Sequence, residues 1–122
     1  MHLLGLLAHQ AGQNDVAVKM IRQAIALVPA NPAFHSNLGE TYRKLGCLDE
    51  AIAAFRRALE LDPACAAAHY NLGNTFTDRR QFDGAIAEYR RAIELKPDYA
   101  EAQNNLGNVL KEQGRQIGRA HV

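Results

Sequence analysis

The sequence has no tryptophan, only two cysteines and four prolines, and almost no net charge. Each shortage removes a class of reading. Fourteen Lys+Arg against thirteen Asp+Glu leave +1, which provides no basic field for nucleic acid or an anionic membrane. Apolar runs are short and interrupted, far below the ~20 residues of a membrane span. The opening MHLLGLLAHQAG lacks the basic lead-in of a signal peptide. Cys47 and Cys65 flank a stretch read below as a helix, which would hold them ~20 Å apart. A disulfide needs Cα atoms within roughly 7 Å, so both are expected to be free thiols in a reducing cytoplasm. Also missing are a Gly-x-Ser-x-Gly nucleophile, a phosphate-binding glycine loop and a His-Glu-x-x-His pair. No catalytic residue, cofactor or metal is expected.

What the sequence does contain is a period. Asn-Leu-Gly occurs at 37–39, 71–73 and 105–107, and Leu4-Gly5 continues the series backwards. Alanines fall at 17, 51 and 85 and again at 24, 58 and 92. Leu27, Leu61 and Leu95 follow, then Pro29, Pro63 and Pro97. Large apolar residues take Ile21, Phe55 and Tyr89, and a second series runs Ala8, Tyr42, Phe76, Leu110. Every series steps by 34, and a fixed period of that length marks a repeat architecture. In 122 residues, the prior of one domain becomes one array.

Each unit reads as two helices. Over 33–45, Phe34, Leu38, Tyr42 and Leu45 share one helical face. Asn31 is placed to cap that helix, with Pro32 in its first turn, and Gly46 can close it in the left-handed conformation. Over 49–61, Ala51, Ile52, Phe55, Ala58 and Leu59 oppose Arg56, Arg57 and Glu60, and Pro63 forbids continuation. Asp98 and Glu101 have capping-box spacing for the last helix. Gly39 and Ala51 have almost no side chain, so the two helices of a hairpin can approach closely there. A single hairpin cannot bury its apolar face and needs a neighbour.

A 34-residue helix pair carrying Leu-Gly, aromatic, Ala, aromatic, Ala and Pro in that order resembles the tetratricopeptide repeat. The resemblance covers residues 1–115 and implies an all-α, right-handed superhelical α-solenoid of about seven helices. The units divide as a partial repeat at 1–31, repeats at 32–65 and 66–99, and a lone first helix at 100–115. Where other units have Gly12, Gly46 and Gly114, the third has Arg80, and a left-handed Arg costs roughly 1–2 kcal/mol. Gly84 lies inside a helix, at about 1 kcal/mol more. The third unit is therefore expected to be the weakest hairpin. After Arg115 no second helix is recognisable, and Ile117 to Val122 reads like an in-frame sequencing adapter. Residues 116–122 are expected to be a non-native tail on a fragment of a longer protein.

The carboxylates sit mainly beside basic residues, as in Glu40/Lys44, Arg56/Glu60 and Arg90/Glu94, spacings of surface pairs. His35 and His69 are 34 apart but lack further metal ligands, so they are expected to pack against a neighbouring helix. His2 and His9 have no partner pattern. Arg56-Arg57 and Arg90-Arg91 read as a solvated outer surface.

Asn37, Asn71 and Asn105 are different. In mid-helix Asn is worse than Ala by up to ~0.7 kcal/mol, and that cost recurs at one equivalent place. A carboxamide offers donors and an acceptor that match a peptide bond. First helices ~10 Å apart would meet about every third residue of a strand rising ~3.3 Å per residue. Glu40, Asn74 and Asn108 lie one turn on and would widen the stripe. Two readings stand: a ladder that grips a partner's backbone, or soluble asparagines copied by duplication.

The resemblance implies a scaffold that binds a peptide or partner protein in a concave groove. The wording AIAEYRRAIELKPDYAEAQNNLGN is also similar to the repeats preceding O-linked N-acetylglucosamine transferases and their Spindly-type bacterial relatives. That family's superhelix is lined by asparagines, which matches Asn37, Asn71 and Asn105. The catalytic region would lie beyond residue 115. The RNA-reading pentatricopeptide class fits poorly with the +1 charge and the 34-residue step. Partners are therefore expected to be protein or peptide, with neither nucleic acid nor membrane. Self-association through exposed terminal helices is a further expectation.

Overall fold

The computed structural model describes the backbone of residues 2–120 and the side-chain environment of residues 13 and 15–118. The side chains of His2, Leu4, Ala8 and His9, named above, lie outside the described residues, as does the end of the tail. Six helices and no strand are present among the described residues: α1 (His2–Leu27), α2 (Pro32–Lys44), α3 (Leu48–Leu61), α4 (Ala66–Asp78), α5 (Phe82–Leu95) and α6 (Ala100–Ala120). They form two compact units, one ending at Leu61 and the other starting at Asp62.

In the first unit α2 and α3 form the closest-packed pair, and α1 lies against α2. Asn31 caps α2 as its spacing predicts: its Oδ1 accepts from the Ala33 N–H at 2.9 Å, with Pro32 next. The end of α2 is a Schellman closure. Gly46 has φ +81°, its N–H donates to the Arg43 carbonyl, and the Cys47 N–H donates to the Tyr42 carbonyl. A Cβ on Gly39 would stand 2.8 Å from the Phe55 ring. Glycine there lets the ring lie directly on the α2 backbone, and Phe55 and Ala51 are fully buried.

The second unit repeats this design. A Cβ on Gly73 would stand 2.7 Å from the Tyr89 ring, and Tyr89 is buried. Phe82, Ala85, Ile86, Tyr89 and Val109 form the core, flanked by Tyr70, Phe76 and Leu106. The turn after α4 uses the same Schellman bonds, Arg80 N–H to the Thr77 carbonyl and Gln81 N–H to the Phe76 carbonyl. Here the left-handed residue is Arg80, at φ 60°. Two contacts repay part of its strain: the guanidinium lies 5.1 Å from the Phe82 ring centre, and it pairs with Glu112 at 3.5 Å. Gly84 has a packing reason as well, since a Cβ there would meet the Phe76 ring at 3.3 Å. The backbone terms still act on this hairpin. Amides of 66–99 are expected to exchange faster than those of 32–65; best protection in 66–99 would overturn the ranking.

At the helix ends the structure departs from the sequence reading at three points. About seven helices were expected and six are found, because α1 runs unbroken through Gly12. No proline interrupts that stretch, and a helical glycine costs only about 1 kcal/mol. Ile21 also brings less surface to a hairpin than Phe55 or Tyr89. In α6 the helix likewise continues through Gly114 to Ala120. Glycine at this place in the period permits a turn without forcing one. Finally, the Tyr99 carbonyl takes the first bond of α6, from the Gln103 N–H. The residue at the cap is thus Tyr99, and Asp98 precedes it.

Surface pairing follows the neighbouring arginines. Glu60 pairs with Arg57 at 2.8 Å and Glu94 with Arg91 at 3.0 Å, one residue nearer than the i,i+4 partners expected.

Candidate functional site

The histidines act within a device that recurs along the chain. His35 Nε2 lies 3.0 Å from the Pro29 carbonyl, and His69 Nε2 lies 3.2 Å from that of Pro63. Gln103 Nε2 donates to the Pro97 carbonyl at 2.7 Å. All three donors stand six residues after their proline and occupy one place in the period. Each ties an incoming loop to the helix that follows. His69 also reaches Glu88 of α5, Nδ1 to Oε2 at 2.7 Å. These residues are structural ties, consistent with the expected packing role. Among the described residues, no cluster of His, Cys, Asp and Glu could hold a metal ion.

The six predicted contact residues fall in unlike environments. Asn37 and Glu40 are exposed on α2, in the first unit. Asn71 and Asn105 are half-buried on α4 and α6, and Asn108 is exposed. Asn74 is buried, with 8% exposure. Its Oδ1 accepts from the Tyr89 hydroxyl at 2.5 Å and from Asn105 Nδ2 at 2.9 Å. Two donors fill both lone pairs of that oxygen. Asn74 therefore ties α4, α5 and α6 together and does not lie on an open polar stripe.

Asn105 spends both of its donor hydrogens inside the protein. One goes to Asn74, the other to the Tyr70 hydroxyl at 3.1 Å. Its amide plane is thereby fixed, and its own Oδ1 is left as the acceptor. Around it is an aromatic shelf that the period did not reveal. The Tyr70 ring lies 5.0 Å from Tyr99 and 6.0 Å from Tyr89, tilted in both cases. Lys96 Nζ sits 4.7 Å from the Tyr99 ring centre. Burial first, then Tyr70 and Glu101, pushes the Tyr99 phenol above its ordinary range, so it stays neutral. Tyr70 and Tyr99 stand where other units have Ser36, Asn104 and Cys65, and a search for recurring residues passes over them. One signal was available. Of the two packed aromatics, only Tyr89 carries a hydroxyl, and only its hairpin pairs Asn with it, where the other has Glu40.

Away from this shelf, an open groove of about 520 Å³ is lined by Phe76, Phe82, Gly84, Asp83 and Gln113, among others. Gln113 donates to Asp83 at 2.6 Å across it. Both cysteines are free thiols. Partial burial, followed by a hydrogen bond and the charge of Glu50, raises the Cys47 thiol above its usual range. At neutral pH it is mainly protonated, unlike a nucleophilic thiolate. No described helix is long and apolar enough to cross a membrane.

With this geometry in place, comparison with known proteins is informative. No curated protein matches the chain. The crystal structure of MamA is similar at 30% identity and TM-score 0.79, over 87% of this chain and 62% of that one. An O-GlcNAc transferase of Thermobaculum terrenum is 31% identical with TM-score 0.75, over 84% of this chain but 20% of its own. The first TPR domain of Spaghetti (RPAP3), solved with the HSP90 peptide SRMEEVD, shares the fold at 23% identity and TM-score 0.81, over 90% and 87%. The chain thus spans less than two thirds of MamA and a fifth of the transferase. The sequence profile of the TPR repeat matches residues 5–46, 39–78 and 73–114. This chain belongs to the tetratricopeptide (TPR) repeat family.

Proposed function

We infer that this chain is a protein-interaction scaffold that holds an extended peptide or a segment of a partner protein along its first helices. The observation that supports this most directly is Asn105, whose amide is fixed by Asn74 and Tyr70 beside the Tyr70/Tyr99 shelf. An acceptor held in advance loses little freedom when a backbone N–H arrives. Flat aromatic faces add contact area without selecting one side chain. Asn71 would supply a second rung in the same unit, and in the first unit Asn37 holds the equivalent place on α2. A related fold holding a peptide, that of Spaghetti, supports the same class. The free thiols suit a reducing cytoplasm. Self-association through the terminal helices belongs to the same reading.

The test is capture of extended peptides from a random pool by the wild type and by an Asn71→Ala/Asn105→Ala double variant. Two lost hydrogen bonds at roughly 0.5–1.5 kcal/mol each predict affinity about 5- to 150-fold weaker, with helicity by circular dichroism unchanged. Unaltered affinity would leave Asn71 a residue copied by duplication and Asn105 a structural tie between α4 and α6.

A second reading draws on the likeness to the bacterial O-GlcNAc transferase. There the repeats would present polypeptide substrates to a glycosyl-transferring region outside residues 1–122, and this chain would transfer no sugar itself. Reading the gene beyond codon 115 separates the two, and also decides whether 116–122 is an adapter-derived tail.

A further inference from the structure

The shelf of Tyr70 and Tyr99 has more hydrogens to give than an ordinary strand has acceptors to meet them. Tyr70 Oη accepts from Asn105 Nδ2 at 3.1 Å, so its own hydrogen is left to point elsewhere. The Tyr99 hydroxyl makes no hydrogen bond among the described residues, and the Lys96 ammonium beside its ring makes no ion pair among them. Burial first, then Tyr70 and Glu101, keeps the Tyr99 phenol protonated. Against these donors stands one fixed acceptor, Asn105 Oδ1. An ordinary residue brings one N–H with each C=O, which adds donors where donors are already in surplus.

Carboxylates and proline carbonyls are both rich in acceptors, and the local charge favours the second. Asp98 precedes Tyr99 and Glu101 follows it, and Glu101 is near enough to act on the phenol. Lys96 is outnumbered, and the patch has no positive field to draw an acidic segment. Proline supplies a carbonyl without an N–H. In the polyproline II form those carbonyls make no internal hydrogen bonds, and the fixed φ leaves little freedom to lose on binding. The rings suit such a segment as well. Tyr70 and Tyr99 are half-buried, 5.0 Å apart and tilted by 36°, an apolar slope of the kind on which proline segments dock.

We propose that the segment held on this shelf bears proline in the polyproline II form, with pyrrolidine rings on Tyr70 and Tyr99 and carbonyls taking the two phenol hydrogens. A neighbouring residue that keeps its N–H gives it to Asn105 Oδ1. The proposal rests on the peptide-binding reading and narrows it: flat rings alone choose no side chain, whereas the surplus of donors does. At about 3.1 Å per residue and three residues per turn, one face of the segment returns every ~9 Å. That matches the ~10 Å between packed helices.

Fluorescent peptides of equal length test this by anisotropy: one built on repeated Ala-Pro-Pro, one with valine for each proline, and one with glutamate for each proline. Valine keeps an extended apolar chain and restores the N–H. The wild type is expected to hold the proline peptide about ten-fold tighter than either of the others. Tyr99→Phe, whose missing hydroxyl bonds nothing else in the described chain, should stay folded by circular dichroism and reduce that preference to about three-fold. Tyr99→Ala, which also removes the ring, should abolish it. Equal affinity for the proline and valine peptides overturns the proposal and leaves the scaffold reading intact, as does tightest binding of the glutamate peptide. An undiminished preference in Tyr99→Phe overturns it too, by showing that the phenol hydrogen takes no part. If none of the peptides is held, the proposal falls, and the scaffold reading falls with it only where capture from the random pool fails as well.

Discussion

Tyr89→Ala is expected to cost the folded chain about 3–5 kcal/mol, the range for removing a large buried aromatic. Stabilities of ordinary domains are about 5–15 kcal/mol, so urea unfolding should show the second unit largely lost at ambient temperature. Two effects add at this residue. The ring fills the space above Gly73 and packs with Ile86 and Val109, so truncation leaves a cavity. The hydroxyl meanwhile donates to Asn74 Oδ1, inside a network that also holds Asn105 and Tyr70. Tyr89→Phe separates them: it keeps the ring and removes the hydroxyl's bond to Asn74 and its 3.2 Å contact with Thr77, for about 1–2 kcal/mol. A Phe variant as damaging as the Ala variant would mean that the polar network, and not the ring, carries the hairpin.

Gly73→Ala and Gly107→Ala are expected to move stability in opposite directions, although both change the glycine of a Leu-Gly pair. At Gly73 the new methyl would stand 2.7 Å from the Tyr89 ring, which is buried and cannot withdraw. Overpacking of that kind costs about 1–3 kcal/mol. At Gly107 the methyl enters open space, and replacing a helical glycine gains about 1 kcal/mol in the dilute monomer. Thermal unfolding of the two variants checks the pair. Combining Gly73→Ala with Tyr89→Leu should cost less than the sum of the single changes, because a smaller side chain relieves the clash. Strict additivity would show that the ring and glycine do not constrain each other.

The repeat period made most of the hairpin architecture readable beforehand. Leu38, Gly39, Ala51, Phe55 and Ala58 announce a closely packed pair through their spacing alone, and the structure places all five in the core. Asn31, Pro32 and Gly46 mark the bounds of α2 because capping and left-handed turns depend on local chemistry. Gly12 and Gly114 misled for a related reason. Left-handed closure at Gly46 and Arg80 is completed by a returning helix that packs its Ala and aromatic residues, and glycine alone does not supply that helix. The candidate site was only half readable. A period finds what repeats, so it selected Asn71 and Asn105 and missed Tyr70 and Tyr99, which occur once. It also grouped Asn74 with Glu40 and Asn108, although a single hydroxyl on Tyr89 draws Asn74 inward.

The side-chain ties at His35, His69 and Gln103 have a consequence for how such chains vary. Each donates its bond to a proline carbonyl, a main-chain acceptor that any residue at that place would present. The connecting segments can thus change their side chains freely while an inserted residue would carry the carbonyl out of reach. Drift in these joints is tolerated in spelling but not in length.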